Sequence, residues 1–269
     1  MNSSSLIIHV VRHGHIPSHD TDVPLTAEGQ KAVYLAGHEL AARIEDGELI
    51  SFFHGPARRA RETAWGIYHG LRDSLKASGR AEPQIAPPDS LAGIRNLGLI
   101  VQGRMQEAMR IQLDLVRAAY LAEPSPENAG RLAFHRDFWD SDDPIGYWLT
   151  HPSPHAEDPN EVAERVTAAI RELLSEPPQP PATRRRIICA SHSAPMRAFL
   201  RQVFGADPGE PDFCESFTVE RMDDRRARVV FRGRSVEAWG TRGNSGELGG
   251  TWGNSIKLPR VPTSSSEFL

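Results

Sequence analysis

The sequence predicts an α/β fold, a three-layer α/β/α sandwich with a mainly parallel central sheet and a helical and loop insertion. Three observations carry this expectation. Short β-branched runs recur at residues 6–11, 49–53 and 186–190, the pattern of buried parallel strands. Each is followed by helix-like text, which favours crossover connections with helices on the faces of the sheet. The chain has 269 residues, enough for a substantial core, and its 39% hydrophobic and 25% charged residues exclude a collagen-like fibre or a largely disordered chain.

The elements follow in order. After the first strand, polar text leads to Pro24, and a helix starts near Thr26, whose hydroxyl can cap it, with Glu28 in the first turn. Ala32, Leu35, Ala36, Leu40 and Ile44 make its apolar face. The second strand precedes a helix over about residues 58–75. Residues 80–104, with Pro83, Pro87, Pro88 and several glycines, read as a long loop, and residues 105–121 as a helix. Residues 124–159 read as a loop-rich insertion with a short helix. Asp158-Pro159-Asn160-Glu161 combines an Asp cap, a first-position Pro and a Glu, and starts a helix that runs to about Ser175.

The proline-rich stretch at 177–181 reads as a loop, because the strands on both sides of it share one sheet. The third strand leads to a helix over about residues 194–204. Residues 217–221 and 228–231 form a hairpin around Asp223-Asp224. One domain therefore spans 1–232, with its insertion at about 80–160. Residues 233–269, rich in Gly, Ser and Thr without periodicity, are expected to form a poorly ordered tail.

Composition and signals narrow the function. A formal net charge of -4 gives no support to a nucleic-acid partner, which needs clustered basic excess. The run at 6–11 ends at Arg12 and is too short for a signal-peptide core. No segment approaches the roughly 20 apolar residues of a membrane helix. A cytoplasmic location and no membrane partner are expected. Cys189 and Cys214 cannot make a disulfide framework, and Cys189 sits mid-strand as an inert core thiol. Oligomeric state is not legible in the sequence.

The chemistry gathers at strand ends, where open parallel sheets bind ligands. The first strand delivers Arg12-His13-Gly14-His15, the second leads to Arg58 and Arg59, and the third delivers Ser191-His192-Ser193. Two imidazoles and an arginine there suit phosphate: an imidazole can attack phosphorus, and guanidinium forks hold phosphoryl oxygens. Gly14 permits close backbone approach to a ligand. His15 and His19 either line the pocket or face water. Trp139, Tyr147 and Trp148 either wall a cleft or pack the insertion onto the body.

These residues resemble the histidine phosphatase (phosphoglycerate mutase-like) superfamily. Val11-Arg12-His13-Gly14 and Pro24-Leu25-Thr26-Ala27-Glu28-Gly29 are similar to its opening, and Pro56-Ala57-Arg58-Arg59-Ala60-Arg61-Glu62-Thr63-Ala64 to its second block. Ala190-Ser191-His192-Ser193 is similar to its last. The resemblance implies a metal-independent phosphatase without cofactor, acting on a phosphorylated small metabolite. His13 would be the phosphorylated nucleophile, and Arg12, Arg59 and His192 the rest of the phosphate pocket. Gly14, His19 and Ser193 would contact substrate.

One expected part is missing. The family's usual proton donor is a Glu or Asp after the second helix, but here the loop reads Ser90-Leu91-Ala92-Gly93-Ile94-Arg95-Asn96-Leu97-Gly98. Gly93, Ile94 or Asn96 falls at the acid position, according to whether Leu91, Gly98 or Arg95 sets the alignment. Glu107, Asp140, Asp142 and Asp143 are candidate replacements. Three alternatives stay open: a phospholigand-binding member with little turnover, a phosphosugar mutase, and a metal-dependent hydrolase using His13 and His15 with Asp20 and Asp22 nearby.

Overall fold

The computed structural model describes residues 6–79, 84–175, 184–223 and 226–239. The expected loop at 177–181, residue Asp224 and the remainder of the expected tail lie outside them. β1 (Leu6–Arg12) leads to α1 (Ala27–Ala41), capped by the Thr26 hydroxyl, which accepts the Gly29 N–H. β2 (Leu49–His54), α2 (Arg58–Ala77) and two short strands, β3 (Gln84–Ile85) and β4 (Asp89–Ser90), follow. A 3-10 turn at Ala92–Ile94 precedes a hairpin of β5 (Gly98–Val101) and β6 (Arg104–Glu107).

The insertion then supplies α3 (Ile111–Ala122), α4 (Pro126–Asp140) and α5 (Pro144–Thr150). The chain returns through α6 (Pro159–Ser175), β7 (Arg185–Ser191) and α7 (Ser193–Phe204). It ends in β8 (Ser216–Arg221), β9 (Ala227–Phe231) and β10 (Arg234–Ala238).

The main sheet has the order β10-β9-β8-β1-β7-β2-β3, with β4 also paired to β2. β1, β7, β2, β3 and β4 are parallel, whereas β8, β9 and β10 add an antiparallel meander. The sheet is thus mixed, and its parallel part carries the strand ends of interest. Strand alternation sorts the core between two faces. Ile188 and Ala190 of β7 join the cluster under α1 and α2, while Ile187 and Cys189 join the one under α6 and α7. Burial pushes the Cys189 thiol pKa up, as suits an inert core group. Among the described residues no helix is long and apolar enough to cross a membrane.

Four expectations change. Residues 105–107 continue a strand, because Gln102 and Gly103 take positive φ (52° and 72°) in a tight two-residue turn that joins β5 to β6. The region 124–159 is helical rather than loop-rich. Ser125 and Asp143 cap α4 and α5, each with Pro in the first turn. α4 buries only Phe134, His135 and Phe138, so it lacks the apolar stripe that announces a helix.

Past Gly233 the sheet continues, since Arg232 and Gly233 (φ 47° and 76°) turn the chain back to pair β10 with β9. Leu35 is 42% exposed, and Val33 takes its place in the core. That rotation follows from the close approach of α1 to α2, which glycines permit. A Cβ on Gly37 would lie 2.2 Å from the Ile67 carbonyl oxygen, and one on Gly70 would lie 2.0 Å from that of Tyr34.

The insertion has its own core. Leu97, Leu99, Phe138, Trp148 and Val162 pack there against Ala194 and Ala198 of α7. The Trp148 indole N–H donates to the Glu157 carbonyl at 2.7 Å. Gly37→Ala and Gly70→Ala should each lower unfolding stability by about 1–3 kcal/mol in urea titrations, although helix propensity alone favours alanine.

Candidate active site

The parallel register of β1 and β7 pairs Arg12 with Ser191, so the next residues, His13 and His192, leave the sheet side by side. Their ring centroids are 5.3 Å apart. The His13 amide donates to the Ser191 carbonyl at 2.9 Å, which prolongs the pairing by one residue. Arg59 enters from the first turn of α2, and α7 starts at Ser193, beside the imidazoles.

These side chains open onto a cavity of about 390 Å³. Arg12, His13, His19, Arg59, His192, Ser193 and Glu210 line it from the sheet side. Asn96, Leu97, Ala108, Phe138, Trp139, Asp142, Asp143, Pro144 and Ile145 line it from the insertion.

Hydrogen bonding assigns the His13 tautomer. Nδ1 faces the Gly14 carbonyl at 2.8 Å, and a carbonyl only accepts. Nδ1 therefore carries the proton, and Nε2 keeps a lone pair. Burial, then Arg12 and Arg59, hold the His13 pKa well below the usual imidazole range. Burial, then Arg59 and His13, do the same for His192. Both rings are neutral at physiological pH.

Several buried nitrogens have no partner in the protein. Both ring nitrogens of His192 and the Nε of Arg12 and of Arg59 lack a partner. Buried polar groups normally find one. A cavity edged by two guanidiniums and two imidazoles with free nitrogens suits a tetrahedral oxyanion.

The arginines are held in place. Arg12 donates to the Pro211 carbonyl at 2.5 Å, pairs with Glu210 at 3.0 Å and lies over the Phe213 ring at 4.2 Å. Arg59 pairs with Asp22 at 3.3 Å and with Glu107. Thr63 donates to the Arg59 carbonyl at 2.7 Å and accepts the Gly14 N–H at 2.9 Å. It thereby fastens the loop after β1 to the helix bearing Arg59.

The expected residues divide accordingly. Arg12, His13, Arg59, His192, His19 and Ser193 converge on the cavity. Burial, then Arg12 and Arg59, also lower the His19 pKa. Gly14 does not line it: a Cβ there would meet Val33 Cγ1 at 2.9 Å, so this glycine serves packing on α1 and its carbonyl orients His13. His15 turns towards the Thr26 hydroxyl at 3.0 Å and the Phe213 ring edge at 5.0 Å. It does not converge with His13. Among the described residues no three His, Cys, Asp or Glu side chains gather as metal ligands.

Of the candidate acids, Glu107 contacts Arg59 and accepts from Asn96 Nδ2 at 3.3 Å. Asp142 lines the cavity. Asp143 caps α5 and binds Arg197 through both oxygens at 2.6 and 2.7 Å, which lowers its pKa. Asp140 is exposed and pairs with Arg110 at 3.6 Å. Trp139 walls the cleft, whereas Trp148 packs the insertion onto the body.

Sequence reasoning missed Glu210, which joins Arg12, Arg197 at 3.0 Å and the Ser193 hydroxyl at 2.5 Å. It lies between α7 and β8, in a loop with no motif to announce it.

A family model described as histidine phosphatase superfamily (branch 1) matches residues 132–230, which include the His192 block. Over that stretch the chain is similar to the histidine phosphatase superfamily. The chain is similar in fold to a mycobacterial hydrolase, with 17% identity over 86% of this chain and 100% of that one and a TM-score of 0.50. It also matches phosphoglycerate mutase from Bacillus anthracis str. Sterne, at 17% identity over 82% and 89% of the two chains and a TM-score of 0.49. Mycobacterial glucosyl-3-phosphoglycerate phosphatase matches at 16% identity over 79% and 89%, with a TM-score of 0.45. No curated protein sequence matches the chain.

Asn96 lines the cavity, in the loop where the sequence resemblance led us to expect an acid, and its side-chain amide donates to Glu107. The neutral imidazoles also carry a stability consequence. The unfolded chain binds protons near pH 6.5 and the folded one does so well below it. Stability is therefore full above 6.5 and is lost as pH falls, by roughly 1.4 kcal/mol per pH unit for each histidine that stays neutral. Urea unfolding at pH 7.5 and 5.0 should show this loss, reduced in His192→Gln. An unchanged midpoint would contradict buried neutral rings.

Proposed function

We propose that the protein is a metal-independent phosphatase that hydrolyses a small phosphomonoester through a phosphohistidine on His13. The observation that supports this reading best is the His13 Nε2 lone pair, left free by the Nδ1 contact with Gly14, beside His192 and two arginines. Nε2 attacks phosphorus in line, the bond to the leaving oxygen breaks, and that oxygen takes a proton. Arg12, Arg59 and His192 hold the non-bridging oxygens throughout. Because Arg12, Arg59 and His192 already line the cavity, little reorganisation is needed as charge develops.

Glu107 is the proton donor in this reading. It stands on Arg59 and is held by Asn96, both of which line the cavity, so its carboxyl lies directly behind that wall. In the second step Glu107, now ionised, accepts a proton from the water that attacks the phosphohistidine. Phosphate leaves and His13 is neutral again.

Phosphate release should persist in chelator and vanish in His13→Ala. Chelator-sensitive activity that survives His13→Ala would overturn the reading. Glu107→Gln should slow alkyl phosphate hydrolysis by about 10²–10⁴-fold and aryl phosphate hydrolysis much less. Equal losses on both substrates would remove Glu107 from the donor role.

A further inference from the structure

The walls of the cleft, more than its phosphate end, bear on which leaving group enters. Among the described residues, Arg12 and Arg59 are the only arginines lining the cavity, and no lysine lines it. Both belong to the phosphoryl group in the mechanism above. The insertion contributes the apolar Leu97, Phe138, Trp139 and Ile145, the amide Asn96, and the carboxylates Asp142 and Asp143, the latter bound to Arg197. Arg110, the basic side chain beside Trp139, reaches the Trp139 carbonyl at 3.4 Å and Asp140 at 3.6 Å, and is about half exposed. It does not line the cavity.

Outside the phosphate end, a second anionic group on the substrate would thus find no free cation among the described residues, only hydrocarbon, carboxylate or a neutral amide. The first leaves a charge desolvated without a partner, and the second is direct repulsion. An uncharged, flat leaving group would instead find aromatic and aliphatic walls. A cationic group would be matched by Asp142.

We propose that the protein acts on phosphomonoesters whose leaving group is apolar or aromatic and carries no second anionic charge, excluding phosphorylated carboxylic acids and bisphosphates. The proposal rests on the phosphatase reading and deepens it.

Phenyl phosphate, 4-carboxyphenyl phosphate and 4-(aminomethyl)phenyl phosphate separate the effect of charge from that of shape. In wild type, kcat/KM for the carboxyphenyl ester should fall at least about tenfold below that for phenyl phosphate, because like charges oppose its entry. The aminomethyl ester should equal or exceed phenyl phosphate. In Asp142→Lys the ratio of carboxyphenyl to phenyl turnover should rise.

A carboxyphenyl ester hydrolysed as well as phenyl phosphate by wild type, with activity lost in His13→Ala, would overturn this proposal and leave the phosphatase reading intact. An unchanged ratio in Asp142→Lys, a variant whose fold is verified by its phenyl phosphate turnover, would also overturn it. If no ester is turned over above the His13→Ala level, the phosphatase reading itself fails and this proposal fails with it.

Discussion

The cleft depends on the parallel pairing of β1 with β7. Side chains alternate along each strand, so a shift of one residue in this register would part His13 from His192 and turn one of them into a helical layer. The pairing is buried on both faces, with Ile8 and Val10 on one side and Val11 on the other. That burial specifies the register strongly. Two neutral rings can then sit 5.3 Å apart at the edge of a dry core, beside two guanidiniums.

A second layer of contacts fixes the insertion above this edge. Arg197 of α7, buried at 1% exposure, gathers Asp143 from the cap of α5, Asp207, and Glu210 from the loop before β8. A lone arginine at that depth would be costly, and three carboxylates offset it. The same Glu210 reaches Arg12 and Ser193. The insertion and the phosphate end of the cavity therefore share one ionic network, and the wall bearing Trp139 and Ile145 is set relative to the imidazoles by it.

Much of this was legible in the sequence, for physical reasons that differ by region. The three strand ends announced themselves because β-branched runs bury on both faces and stop at polar residues, as at Arg12 and His192. Thr26 and Asp158 marked helix starts by capping chemistry. The hairpin at Gln102-Gly103 stayed hidden because glutamine is an unusual residue for a left-handed turn. α4 stayed hidden because its few buried residues do not form a stripe. Glu107 could be named among several acids, but its contact with Arg59 depends on that hairpin. Glu210 gave no signal, since a carboxylate in an irregular loop is usually solvated.

Both arginines of the cavity already have carboxylate companions, Glu210 on Arg12 and Glu107 on Arg59. The cavity is therefore close to neutral at its cationic end, and an entering phosphate would exchange one anion for another. Exchange binds more weakly than capture by bare charge. For the phosphatase proposed above, it would also speed departure, because the carboxylates stand ready to reclaim their arginines from inorganic phosphate. The pairing would thus keep the site from being held shut by the product.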